Sequence, residues 1–249
     1  MIREFFLDEK PGIPFKLFGG IHFGCLAILI ISLIMVYKYR HKIKNIKDEN
    51  KKKIRLTMFI ILISNMLIWY GSYIYYGVYD IRVHLPLHFC FIAGNLFMIY
   101  LLTLNRKLYK VVFFLTFIGP LPAVIYPDLV SSFDYFVFYQ YFISHHLLMI
   151  FSYFILYMDD FTIKLKDVFR TFVWANIIFI TMMIINQIFG TNYIMSKELP
   201  PHIYELFPIF KKISPIPILE VTGLLVVMII YILVYIKNKE DEHGKEIIS

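Results

Sequence analysis

Seven apolar runs, each close to the length that crosses a bilayer, constrain this chain more than any other feature. They are Leu17–Tyr37, Ile54–Tyr76, Leu85–Leu104, Val111–Tyr126, Phe136–Met158, Val168–Phe189 and Ile216–Ile236. At ~1.5 Å per residue, about 20 residues span a ~30 Å hydrocarbon core. That core has no water, so every backbone N–H and C=O must be paired inside the protein, and runs of this length read as helices. The expected fold is therefore all-α: a polytopic membrane protein with seven transmembrane helices, residues 1–249 forming a single membrane domain. Composition agrees. The chain is 59% hydrophobic, against about 45–50% in soluble domains. The fourth run is the shortest and is broken by prolines in "IGPLPAVIYP". No Gly/Ser linker, low-complexity tract or internal repeat interrupts the pattern. The opening "MIREFFLDEKPGIPFK" is mixed in charge and does not read as a cleavable signal peptide.

The basic residues give the runs a direction. Of the 25 Lys and Arg, 18 fall in the loops after runs one, three and five, with their flanking turns, and in the C-terminal tail. The other 7 fall in the N-terminal segment and the alternate loops. Positive residues mark the cytoplasmic side, so the N-terminus is expected outside and the C-terminus inside. The net charge of +7 is then a topology signal. Nucleic acid is not an expected partner, because no soluble basic fold accompanies the charge. Trp69, Tyr70, Tyr75, Tyr76 and Tyr79 crowd one end of the second run as an interfacial aromatic belt does. Two cysteines inside apolar runs do not make a disulfide framework.

On this map the histidines separate. His41 and His243 lie among cytoplasmic charges and read as solvated surface, and His202 in the last outer loop reads the same way. His22, His84, His88, His145 and His146 all fall in the outer half of the membrane, and Cys90 shares that layer. Ionisable groups at such depth are costly and face the bundle interior or a wet cavity. A thiol becomes a nucleophile as thiolate, and a nearby imidazole can take its proton. A Cys–His pair in a lipid-accessible cavity points to acyl transfer or acyl hydrolysis, with Asn95, Tyr141, Ser144 and Asn192 as candidate donors to the reacting carbonyl. Simpler readings stand beside these. A membrane cysteine is usually a small packing residue, and Cys25 reads so. Histidines within helices commonly bond across to a neighbour. His145 and His146 point about 100° apart, so at most one faces Cys90. His84 and His88, four residues apart, could form a metal pair. Pro86 between them favours a helix start, which leaves His84 in a loop. Metal is the weaker reading, and neither a metal nor another cofactor is expected.

"LPLHFC" (Leu85–Cys90), "YFISHH" (Tyr141–His146) and "GTNYIM" (Gly190–Met195), with "LFGGIH" in the first run, resemble the YwaF family of bacterial integral membrane proteins. The eukaryotic branch of that family is transmembrane protein 164, described as an acyltransferase of ether phospholipids with a catalytic Cys and His. It is distantly similar to androgen-induced membrane hydrolases, which use Thr and His. The resemblance implies Cys90 as nucleophile, His145 as its histidine, His88 as the histidine of the "PLH" motif, and Asn192 with Tyr193 as an outer-loop pair. Two departures stand out. The doublet leaves the pairing open between His145 and His146, and Phe91 follows the cysteine where bacterial relatives often carry an acid.

The expectation is thus an acyltransferase or acyl hydrolase in the outer half of a bacterial plasma membrane. Membrane lipids would supply acyl donor and acceptor. Cys90, His145 and His88 would be catalytic, with His146 as the alternative base. His22, His84, Asn95, Asn192 and Tyr193 would belong to the pocket or support it. Runs three and five are expected side by side, with Cys90 and His145 lining one cavity open to the outer leaflet. The competing readings are a transporter or sensor using the histidine layer for protons or metal, and a structural membrane subunit.

Overall fold

A computed structural model describes residues 2–7 and 12–246, with side chains as far as residue 236. His243 therefore lies outside the described side chains. After a short α1 (Ile2–Leu7), the apolar runs become α2 (Gly20–Lys38), α4 (Asp48–Tyr75), α5 (Phe89–Thr103), α6 (Arg106–Ile118) continued by α7 (Pro120–Ile125), α8 (Phe136–Met158), α9 (Leu165–Phe189) and α11 (Pro215–Glu246). Two small helices join them, α3 (Arg40–Lys44) and α10 (Pro201–Leu206). Six of these spans are long and apolar enough to cross a membrane, and α5 is a shorter seventh of 15 residues.

The helix ends depart from the apolar runs for local reasons. The helix of α4 starts six residues before Ile54. Its first turn carries Asp48 and Glu49, which suit a helix N-terminus, and Lys53 pairs with Glu49 at 2.8 Å. At α5 the departure is opposite. Leu85–His88 is turn rather than helix, since Pro86 disfavours helical geometry in the residue before it. Asn105 caps α6 by accepting from the N–H groups of Lys107 and Leu108 at 3.0 and 3.2 Å. The fourth span breaks at Gly119, and Pro120, lacking an N–H, restarts it as the first residue of α7.

The fourth and fifth spans form the centre. Half or more of their apolar stretch is buried (50% for α6–α7, 56% for α8), against 6–22% in α2, α4, α9 and α11. α6 packs on α5, α8, α9 and α11, while α8 packs on α2, α3, α4 and α7. The outer helices turn Ile28, Ile31, Ile60, Phe169 and Ile184 outward, as lipid-facing surfaces do. α5 lies mainly against α6 and α4 and only touches α8. The third and fifth spans are thus neighbours through α6 more than directly.

Each end of this bundle has its own fastening. Where α8 meets α9, Asp159 is held by the Arg55 guanidinium and the Tyr100 hydroxyl. Arg106 donates to the carbonyls of Asp159 and Asp160 at 3.1 and 3.3 Å. At the other end the segment before α2 is strapped to the loop before α8. Phe15 N–H donates to the Val130 carbonyl at 2.9 Å, and Ser132 N–H to the Ile13 carbonyl at 2.8 Å.

Candidate functional site

His22 is fully buried near the start of α2, and both ring nitrogens are engaged. Phe18 N–H donates to Nδ1 at 3.0 Å, and Nε2 lies 2.8 Å from the Val124 carbonyl. A carbonyl can only accept, so Nε2 carries the proton and the ring is a neutral, saturated clasp between α2 and α7. With both nitrogens taken, His22 ties the start of α2 to α7.

His84 sits in the loop before α5. Its Nδ1 faces the N–H and carbonyl of Asp80 at 3.0 and 3.1 Å, and its ring packs on Tyr73 at 4.3 Å. His88 is the N-cap residue of α5. The two histidines therefore do not share a helical face, as their spacing would have placed them had the helix begun at Leu85. Among the described residues no three His, Cys, Asp or Glu are grouped to hold a metal ion.

His88, Cys90 and Tyr141 line one cavity of about 860 Å³. It is bounded by the start of α5, the α6–α7 break, α9, α11 and the loops around Asp128 and Leu199. Its wall on α9 runs from Leu165 to Phe179, about 21 Å at ~1.5 Å per residue. The lining is overwhelmingly apolar; Asn176 and Glu220 add polar groups on α9 and α11, and Asp128 another in the loop. A long greasy slot with polar groups toward one end matches the shape of an amphiphile.

Local sequence positions the thiol. Cys90 is the second residue of α5, where amides have no partner further back in the helix. Gly119 allows the α6–α7 break to approach. A Cβ there would lie 3.2 Å from both the Cys90 backbone nitrogen and the Phe89 ring. Among the described residues no hydrogen bond joins the Cys90 sulfur to an imidazole.

His145 and His146 are both buried on α8. His145 lies one turn beyond Tyr141, ring centroids 4.4 Å apart, and is not among the cavity-lining residues. Its Nδ1 lies 2.6 Å from the Tyr141 carbonyl. A carbonyl can only accept, so Nδ1 carries a proton, and Nε2 has no hydrogen-bond partner among the described residues. His88 is within electrostatic reach of His145, and Cys90 within reach of Tyr141. His146 packs against Phe142 at 5.6 Å, and its Nε2 is buried without a partner. Tyr141 is anchored in turn by its hydroxyl, which donates to the Ala123 carbonyl at 2.8 Å. The Ser144 hydroxyl is turned back onto the Tyr141 carbonyl at 3.1 Å.

The loop after α9 closes the cavity beside His88. Tyr193 packs edge-on against the His88 ring at 5.3 Å, donates to the Ile81 carbonyl at 2.6 Å and accepts from Leu85 N–H at 3.2 Å. Asn192 is occupied within its own loop: its amide donates to the Glu198 carbonyl, and its oxygen accepts from Lys197 N–H at 2.9 Å. Asn95 is half-buried along α5. Cys25 packs against the main core, as expected. His41 is exposed, whereas His202 is half-buried with Nδ1 3.8 Å from Asp128.

Reading the sequence for thiol and imidazole passed over Asn186, Gly119 and Glu220. Asn186 is fully buried. Its amide donates to the Tyr193 carbonyl and Ser196 hydroxyl, and its oxygen accepts from Thr191 and from Tyr193 N–H, all at 2.7–2.8 Å. That single side chain folds the loop that carries Tyr193 to His88. An Asn near the end of one apolar run and a lone Glu inside another were the available signals.

A family model described as the TMEM164 family matches residues 17–235. No curated protein and no solved structure matches the chain.

Proposed function

The chain belongs to the TMEM164 family of membrane proteins, and from that premise we propose that it is a lipid acyltransferase or acyl hydrolase with Cys90 as nucleophile. The observation that carries this reading is the shared cavity: a thiol and an imidazole, Cys90 and His88, open into one long apolar slot. An acyl chain would lie along α9 and α11 with its ester carbonyl at Cys90. His145, whose Nε2 has no hydrogen-bond partner among the described residues, takes the thiol proton. The thiolate attacks the carbonyl, the ester C–O bond breaks, and His145 returns the proton to the departing oxygen. The resulting thioester is then attacked by an acceptor hydroxyl or by water, which releases the thiol. His88 orients the carbonyl or donates to its developing oxyanion.

In this reading the site lies in the outer half of a bacterial plasma membrane, supported by the 18-to-7 division of Lys and Arg. A reporter after Ser249 should read cytoplasmic and a tag before Met1 external; both ends on one side would remove the topology.

Thiol reactivity tests the chemistry. A bilayer-permeant electrophile should label Cys90 near neutral pH and leave Cys25 unlabelled. His145→Ala should suppress that labelling, and His146→Ala should do so less. Equal labelling of both cysteines, indifferent to both histidines, would leave Cys90 as a packing residue.

A further inference from the structure

The end of the bundle opposite Cys90 holds a second pocket, of about 300 Å³. Lys51 and Arg55 of α4 line it with Arg106, Tyr100, Asp48 and Asp159. Three cations converge there from two elements. Lys51 and Arg55 are one turn apart on the same face of α4. Arg106 is the first residue of α6, where unpaired amides give the helix a positive end.

The carboxylates present do not use this charge up. Asp159, with a side chain only 7% exposed, is already engaged by Arg55 and Tyr100. Asp48 is 99% exposed, while its ionic partner at 3.5 Å, Lys51, is only 19% exposed. A water-facing pair of this kind is screened and weak, so Lys51 is drawn inward with little to hold it. Arg106 spends two donors on backbone carbonyls and lies over the Phe161 ring at 4.0 Å. What the pocket lacks is an anion with several acceptor oxygens.

We propose that this pocket binds a phosphate group, either the headgroup phosphate of an anionic lipid or a free phosphate. A tetrahedral phosphate can accept from the Arg106 guanidinium while the Lys51 ammonium supplies a point charge, both on the pocket wall. The pocket opens where the basic segment between α2 and α4 gathers nine Lys and Arg over residues 38–55, a setting that concentrates anionic lipid. The inference stands apart from any chemistry at Cys90.

The test uses the full-length protein in nanodiscs of phosphatidylcholine, with phosphatidylglycerol or inorganic phosphate added, read by native mass spectrometry and by thermal shift. Phosphatidylglycerol should bind and raise the melting temperature where further phosphatidylcholine does not. Competition by inorganic phosphate would extend the site to the free ion; binding of lipid alone would assign it to the headgroup. Lys51→Gln should weaken binding by roughly tenfold, the scale of one lost charge-assisted hydrogen bond. Arg106→Lys, which keeps the charge and removes the planar guanidinium, should weaken it by a smaller factor. Lys53→Gln should not, because Lys53 pairs with Glu49 on an exposed face of the same helix. Equal losses for Lys51→Gln and Lys53→Gln would reduce the effect to diffuse surface attraction and overturn the pocket. No response to either phosphate source would show the cluster to be a structural ion network only.

Discussion

The two ends of this bundle differ in how they hold their charged and titratable side chains. Around the α8–α9 junction the carboxylates are matched. Asp159 has Arg55 and Tyr100. Asp167, fully buried, accepts from Lys164 N–H at 3.0 Å with Lys110 at 3.6 Å and Arg170 at 3.3 Å. Around Cys90 the titratable groups are less fully paired. The thiol has no imidazole bonded to it, His145 keeps a free Nε2, and His146 Nε2 is orphaned. The difference lies in the charged groups. At the first end ion pairs around Asp159 and Asp167 tie the helices together, although Lys51 is only weakly paired. At the second a buried imidazole nitrogen, His146 Nε2, has no partner among the described residues.

Removing one member from each end should give the largest and most different effects. Asp159→Ala leaves Arg55 buried without its counter-charge, and breaking a buried pair in this way costs about 3–5 kcal/mol. Cys90→Ala should change stability by only ~1 kcal/mol, as an ordinary substitution does, yet lower acyl turnover by about 10³-fold or more, as loss of a nucleophile does. Melting curves and a lipid turnover assay on both variants check this. Equal destabilisation with no selective loss of turnover would erase the distinction.

Asn186→Ala sharpens it. Four hydrogen bonds disappear and buried partners are exposed as unsatisfied, each about 1–3 kcal/mol at full cost, so a loss of a few kcal/mol in melting experiments is expected. Turnover should fall as well, because Tyr193 would no longer be held against His88. Tyr193→Phe should reproduce the fall in turnover with a smaller loss of stability. His22→Ala removes two bonds and should cost about 1–3 kcal/mol; thiol labelling of the folded protein should stay near wild type if His22 acts only as a clasp.

The smallest expected effect is alkaline. Burial holds the Tyr193 phenol above the usual tyrosine range. Its raised value means that the protonated form favours the folded loop. That contribution is complete below the ordinary pKa of about 10 and is lost as pH rises through the raised value. The mild alkaline loosening, followed by hydrogen exchange in residues 81–88, should vanish in Tyr193→Phe.

The architecture was largely legible because hydrocarbon length and hydropathy act on each run independently. Seven apolar helices appear where seven runs were read, with α5 the short one. Boundaries were less legible where water takes over. The charged start of α4 is helical because Asp48, Glu49 and Lys53 favour helix in solution as well. The start of α5 slipped from Leu85 to Phe89 because Pro86 and the Tyr193 contacts hold Leu85–His88 in turns. For the site, spacing placed Cys90 and His88 in one layer but could not say which helix would intervene. Because α6 lies beside α5, Cys90 faces the slot toward α9 and α11, while His145 remains one turn behind Tyr141. The protonated ring nitrogen of His22 and of His145 was out of reach, since a carbonyl partner decides each one.

The most direct test of the central claim is capture of the acyl intermediate. Purified protein is incubated with phospholipids bearing isotope-labelled acyl chains and quenched in acid, and the peptide containing Cys90 is examined by mass spectrometry. The expected result is a hydroxylamine-labile acyl mass on Cys90, absent from Cys25 and from the Cys90→Ala protein, with acyl turnover lost in that variant. Turnover that persists in Cys90→Ala, with no acyl adduct on the wild-type thiol, would contradict it.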